Sequence, residues 1–266
     1  QVEEDVLRVA WMSDPVALDP HYDTSGSIMP IQRAIHEPLV KVDKDMNYVP
    51  CLATDWERID ESTMRFYLRE GVEFHSGNPF NAEAVKAFFD RTFDPDDIGR
   101  QREWIPKIIG AEVIDDYVID IHSDGQHAFF LDDLARAHLH ITDAKLAEEM
   151  GEEHGRNPSG TGPFMFDTWK RGEVIRLEAN PNYWGDGPYV DALEFRIIPE
   201  DSTALMALES NDVDIVWYVP PHEASRLEED PNINVYTAGT ARPMAYHMVT
   251  HPDHPILSDV RVRNAI

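Results

Sequence analysis

The stretch MRFYLREGVEFHSGNPFNAEAVKAFFDRT, residues 64–92, changes its hydrophobic period midway, and that change decides the fold class. Met64, Phe66 and Leu68 alternate with Arg65, Tyr67 and Arg69, the period of two that marks a strand with one buried face. After Gly71 and the turn-rich HSGNPFN, Val85, Phe88, Phe89 and Thr92 recur at i, i+3, i+4 and i+7, and Asn81 stands where a side chain caps a helix start. Strand therefore gives way to helix within one short connection. Outward from there, two short runs flanking Asp115 and Asp116, between Val113 and Ile121, predict a hairpin with an acidic turn. Val174 to Ala179 and Phe195 to Ile198 predict further strands. Ser202 is expected to cap a helix carrying Leu205, Met206 and Leu208, with Asn211 leaving it in the left-handed conformation that Asn tolerates. Val213 to Trp217 is expected to resume as a buried strand. Such mixed elements with short connections make an α/β or α+β chain. No internal repeat or low-complexity linker interrupts it.

With 266 residues the chain has room for one large domain or two smaller ones. Hydrophobic residues at 42% and charged residues at 27% are ordinary globular usage, which excludes collagen-like, coiled-coil and wholly disordered readings. No apolar run approaches the length of a membrane span, and QVEEDVLRV has neither part of a signal peptide, so a soluble or already processed protein is expected. Charge is the outlier. Fifty Asp and Glu against 23 Lys and Arg give a net charge of −27, which repels a phosphate backbone, so nucleic acid is excluded as a partner. The acid is distributed along the chain, as on a protein working in high salt or on an acidic secreted protein. A lone cysteine, Cys51, forms no internal disulfide and no Cys-based zinc site, and is expected as a buried thiol.

The sequence holds no G-x-S-x-G elbow, no H-E-x-x-H and no glycine-rich phosphate loop, which argues against common hydrolases and nucleotide enzymes. GTGPF (160–164) precedes a strand-like MFDTW, so it reads as a sharp turn. His138 and His140 would share one face of a strand and, with His251 and His254, are the candidate metal ligands, imidazole being a common one. Solvated histidines in acidic loops show the same spacings. His75 reads as a turn residue. Arg102, Trp104 and Arg136 combine planar two-pronged donors for carboxylates with a flat aromatic face, although in so acidic a chain most arginines pair with surface acids.

Seven segments occur in order: LRVAWMSDPVALDP (7–20), EPLV (37–40), PCLATDWE (50–57), FYLREGVEFHSGNPFNAEAV (66–85), GTGPF, NPNYWGDGP (180–188) and IIPEDSTALMALESNDVDI (197–215). Together they closely resemble the extracytoplasmic solute-binding proteins of peptide and nickel ABC importers, solute-binding protein family 5, over essentially the whole chain. The resemblance implies a mixed α/β, type II periplasmic-binding-protein lobe with an inserted smaller domain. Residues 1–42 and 161–266 would form one lobe, 43–160 the smaller domain packed on it. SDVRVRNAI (258–266) resembles a segment leading into a second large lobe, so this chain is expected to be part of a longer protein.

RQREW (100–104) and LARAHLHI (134–141) resemble the nickel-binding branch. The resemblance implies that Arg102 and Arg136 grip the carboxylates of a chelator, Trp104 walls the site, and Tyr22 and Met29 line it. YDTSGSIM (22–29) departs from that branch by at least one inserted residue, and His138 and His140 have no counterpart in it. The family likeness implies a monomeric, non-enzymatic, periplasmic or extracellular receptor that passes cargo to an ABC permease. It would hold no cofactor of its own, a transition-metal chelate or other small anion being the cargo. A short peptide is the alternative cargo. A metal-dependent hydrolase using His138, His140 and a carboxylate is the reading from another class.

Overall fold

The computed structural model of the chain describes residues 4–97, 99, 101–135, 139–237 and 255–263. They fall in two compact units, Gln1–Val219 and Pro220–Ile266. The second contains the helices Pro221–Glu228, Pro255–Ser258 and Val260–Arg263.

The first unit begins with β1 (Val6–Trp11), α1 (Met29–Ile35), β2 (Val40–Val42) and β3 (Tyr48–Pro50). Next come β4 (Ala53–Arg58), β5 (Thr63–Leu68), α2 (Ala82–Phe93), β6 (Ile108–Asp115), β7 (Val118–Ser123), α3 (Phe130–Ala135) and α4 (Ala144–Met150). It continues through β8 (Phe164–Lys170), β9 (Val174–Ala179), β10 (Ala192–Ile197), α5 (Asp201–Glu209) and β11 (Ile215–Val216). One mixed sheet has the order β11-β1-β10-β9-β8, with β1 parallel to both neighbours and β8, β9 and β10 antiparallel. A second, antiparallel sheet runs β4-β5-β7-β6, and β2 pairs with β3.

The strand-to-helix reading of residues 64–92 holds. Met64, Phe66 and Leu68 are buried on β5, while the outward Arg65 forks onto Asp120, its register partner on β7, at 2.8 Å through both Nε and Nη2. Asn81 Oδ1 accepts the Ala84 amide at 3.0 Å and starts α2, whose Val85, Phe88, Phe89 and Thr92 are buried. With Phe80, Ile119, Ile121 and Phe130, the apolar members of that face fill one core. A Val or Phe side chain taken wholly from water contributes about 1.5 to 3 kcal/mol, so this face outweighs the modest intrinsic helix propensity of its β-branched and aromatic residues. The acidic hairpin is β6–β7, and Cys51 lies buried against the same core. A second core joins Trp11, Leu18, Ile31, Ile35, Ile175, Leu177 and Phe195 between α1 and the mixed sheet.

Two local expectations need correction. Ser202 does not cap α5; the helix starts at Asp201 with Glu200 in the cap position and no side-chain cap bond. An acid in the first turn complements the helix dipole instead. Asn211 does leave that helix at φ 61°. The strand expected over Val213 to Trp217 shrinks to Ile215–Val216, and Trp217 is 62% exposed. Among the described residues β11 pairs on one side only, with β1, so its run is half-covered there and not buried.

Candidate functional site

The two cores of the first unit meet at a junction built by residues far apart in sequence. Its centre is Glu37, a buried carboxylate that follows α1. Trp184 Nε1 donates to it at 2.7 Å, Tyr183 OH at 2.9 Å, Lys41 Nζ at 2.9 Å, Thr161 Oγ1 at 3.2 Å and the Cys51 thiol at 3.7 Å. A buried acid survives as a carboxylate only when its lone pairs are filled in this way. Burial, aided by the Glu37 charge, pushes the Cys51 thiol up to about 12, which makes it an inert packing group. Burial and the same carboxylate also raise the Tyr183 phenol.

Beside Glu37, the GTGPF turn presses backbone on backbone. A Cβ on Gly160 would stand 2.1 Å from the Ile35 carbonyl oxygen, and one on Gly162 2.6 Å from that of Ala34. His75 is a turn residue, as expected, and also a latch: its Nε2 lies 2.9 Å from the Gly162 carbonyl, and its Nδ1 receives the Gly160 amide at 3.3 Å.

A second buried carboxylate, Asp19, organises the loop after β1. Arg91 Nη2 stands 3.0 Å and His154 Nδ1 2.8 Å from its Oδ2. Burial alone would raise the Asp19 carboxyl, but Arg91 and the His154 hydrogen bond outweigh it and hold the group well below the usual carboxylate range. Close by, His36 is buried, neither ring nitrogen finds a hydrogen-bond partner among the described residues, and burial lowers its pKa to about 3.

The Asp19 loop carries Tyr22 and is tied to two other elements. Gln32 Nε2, on α1, donates to the Asp23 carbonyl at 2.8 Å; His21 Nδ1 pairs with Gln101 Oε1 at 3.1 Å and His21 Nε2 with Asp97 at 2.9 Å. Gln101 opens the 3-10 turn Gln101–Trp104, which presents Arg102 and Trp104 outward, Trp104 being 39% exposed. Met29 opens α1 and is half-buried. The elements bearing Tyr22, Met29, Arg102 and Trp104 are thus fastened to one loop. Among the described residues the Arg102 guanidinium makes no ion pair. The half-buried Tyr22 ring lies 5.3 Å beneath the Arg91 guanidinium carbon.

Arg136, His138, His251 and His254 lie outside the described residues. His140 is buried and precedes the single bridge between Ile141 and Glu37, not in the strand expected of it. Among the described residues no group of three or more His, Cys, Asp or Glu is arranged to hold a metal ion. No helix among them is long and apolar enough to cross a membrane.

The junction is what residue-by-residue reading misses. Its signal is present in LDP, EPLV, FHSGNPF, GTGPF and NPNYW, each of which taken alone is a turn or a core pattern.

Comparison with known proteins agrees with this fold. The profile of the bacterial extracellular solute-binding proteins, family 5 Middle, matches residues 47–266. The glutathione-binding protein GsiB of Escherichia coli strain K12 is 29% identical over 230 residues, 85% of this chain and 45% of its own length. Among solved structures, the periplasmic binding protein DppA of Helicobacter pylori in complex with the peptide STSA superposes with a TM-score of 0.78 at 30% identity, covering 86% of this chain and 50% of that one. NikA of Brucella suis in complex with Fe(III)-EDTA gives 0.70 at 28% identity, covering 78% and 42%. The chain spans about half the length of the relatives it matches. On this profile match, and on a mixed α/β fold shared with periplasmic binding proteins, the chain belongs to the bacterial extracellular solute-binding proteins, family 5.

Proposed function

We propose that this chain is part of a non-enzymatic, monomeric periplasmic or extracellular receptor that captures a small carboxylate-bearing solute, foremost a metal chelate, and delivers it to an ABC permease. The observation carrying the reading is Arg102, an exposed guanidinium with no ion pair among the described residues, held beside Trp104 on a turn anchored to the Tyr22 loop. An uncommitted arginine in a chain with 50 acids keeps its two-pronged donor face for an incoming carboxylate. Arg136 is its partner in this reading, and Tyr22 and Met29 line the same pocket. The complex of NikA with Fe(III)-EDTA supports a chelate as cargo. Residues 1–42 with 161–266 form the lobe in this scheme, and 43–160 the domain packed on it.

A second reading, a short peptide as cargo, is favoured by the peptide in the DppA complex and by glutathione in the name of GsiB. Calorimetric titration of the full-length protein with Fe(III)-EDTA, citrate, glutathione and neutral dipeptides separates the two. Saturable binding of chelates or polycarboxylates, tighter than that of any neutral dipeptide, is the expected result. Tighter binding of neutral dipeptides overturns it in favour of peptide cargo.

A further inference from the structure

Helices α2 and α4 border a groove of about 780 Å³ that also reaches the rim of the Asp19 loop at Tyr22. Its floor is apolar: Phe74, Pro79, Ala84 and Ala87 face it, with the alanines of α4 opposite. Its lining holds six carboxylates against two basic side chains, Arg91 and Lys145. Arg91 is already committed to Asp19. Three of the acids are also committed: Asp143 to Ser76 and Asn78, Asp97 to His21, Asp90 to Lys86. Among the described residues Glu83 and Glu148 make no ion pair, and the Asp94 carboxylate accepts only the backbone amide of Asp96. From Glu83 to Asp94 along α2 is about 16 Å at the helical rise. The groove therefore offers an elongated apolar floor with uncommitted negative charge spaced along its rim.

We propose that this groove binds linear oligoamines, whose methylene segments lie on the apolar floor while their ammonium groups meet Glu83, Asp94 and Glu148. Charge complementarity selects a cation, and the groove's volume lies within the range of small-ligand pockets. The floor selects a chain of methylenes over a compact inorganic ion. The assignment does not rest on the cargo reading, although Tyr22 belongs to both.

The test uses the full-length protein at physiological salt, titrated by calorimetry with the diamines from 1,3-diaminopropane to 1,6-diaminohexane, with spermidine, and with Mg²⁺. Expected are saturable one-to-one binding and an affinity that rises with chain length, by up to about fourfold for each buried methylene. Glu148→Gln, and separately Glu83→Gln, should each weaken spermidine binding about fivefold or more with an unchanged melting curve, while Glu70→Gln, on an exposed site elsewhere, leaves it intact. Affinity that ignores chain length, or equals that of Mg²⁺, overturns the proposal by showing only diffuse attraction to a chain of charge −27. Unchanged spermidine binding in both groove variants overturns it as well.

Discussion

Trp184 donates its indole N–H to Glu37 Oε2 at 2.7 Å across 147 positions of sequence, which makes one buried carboxylate the clasp between the two cores. Glu37→Ala strips five donors of their acceptor at once. Breaking a buried charged group from its partners costs about 3 to 5 kcal/mol. Urea unfolding should show that loss, with Glu37→Gln retaining part of it through its carbonyl oxygen. A change below about 1 kcal/mol for Glu37→Ala would remove the clasp from the account.

Gly160→Ala and Gly162→Ala should each destabilise the protein by about 3 kcal/mol or more, because the new methyl meets backbone oxygen that cannot yield. Gly26→Ala is the control, its nearest neighbour being the tip of Met29 at 4.0 Å. Melting curves of the three variants decide the matter, and an ordinary melting temperature for Gly160→Ala would contradict the close approach.

Stability should fall as pH drops from about 6.5 to about 3. His36 stays neutral in the folded protein down to about pH 3, whereas the unfolded chain takes up its proton below about 6.5, so acid favours unfolding through that window. The slope this group adds is at most about 1.4 kcal/mol per pH unit. His36→Gln should flatten the dependence between pH 6 and 4. Asp19, depressed by Arg91 and His154, contributes stability that is complete above the ordinary carboxylate pKa and is lost only at lower pH, as its own proton returns. A profile flat from pH 7 to 4 would count against the His36 assignment.

High salt should raise the melting temperature. A net charge of −27 repels itself across the surface, and a shorter Debye length relieves that repulsion. Melting followed from low to multimolar chloride, with sulfate compared, is the measurement; a steady fall with chloride refutes it.

Arg102→Ala should weaken binding of a polycarboxylate or chelate at least about tenfold in the full-length protein, with Arg102→Lys rescuing only part. Equal affinities for wild type and Arg102→Ala would take this side chain out of the site.

Local elements are legible in the sequence because local forces set them: the β5 alternation, the Asn81 cap and the left-handed Asn211 each depend on neighbours within a few residues. The α5 start escapes such reading because Ser202 and Asp201 are both plausible first-turn residues, and only the chain's path chooses between them. Trp217 escapes it because burial of a strand depends on its place in the sheet, which hydropathy does not encode. The pairings of Glu37 with Trp184 and of Asp19 with His154 are invisible singly, since partners more than 100 positions apart leave no periodic trace. Arg102 enters the proposed site through family likeness and not through spacing.

The clasp at Glu37 also sets a timetable. Thr161, Tyr183 and Trp184 lie 124 to 147 residues downstream, so a growing chain cannot complete this contact until its last partner has been made. At synthesis rates of about 5 to 20 residues per second the delay is roughly 7 to 30 seconds. Through that interval the amino-terminal segment remains an unfinished substrate for whatever machinery handles newly made chains, and the assembly that ends it is of the slow, non-local kind.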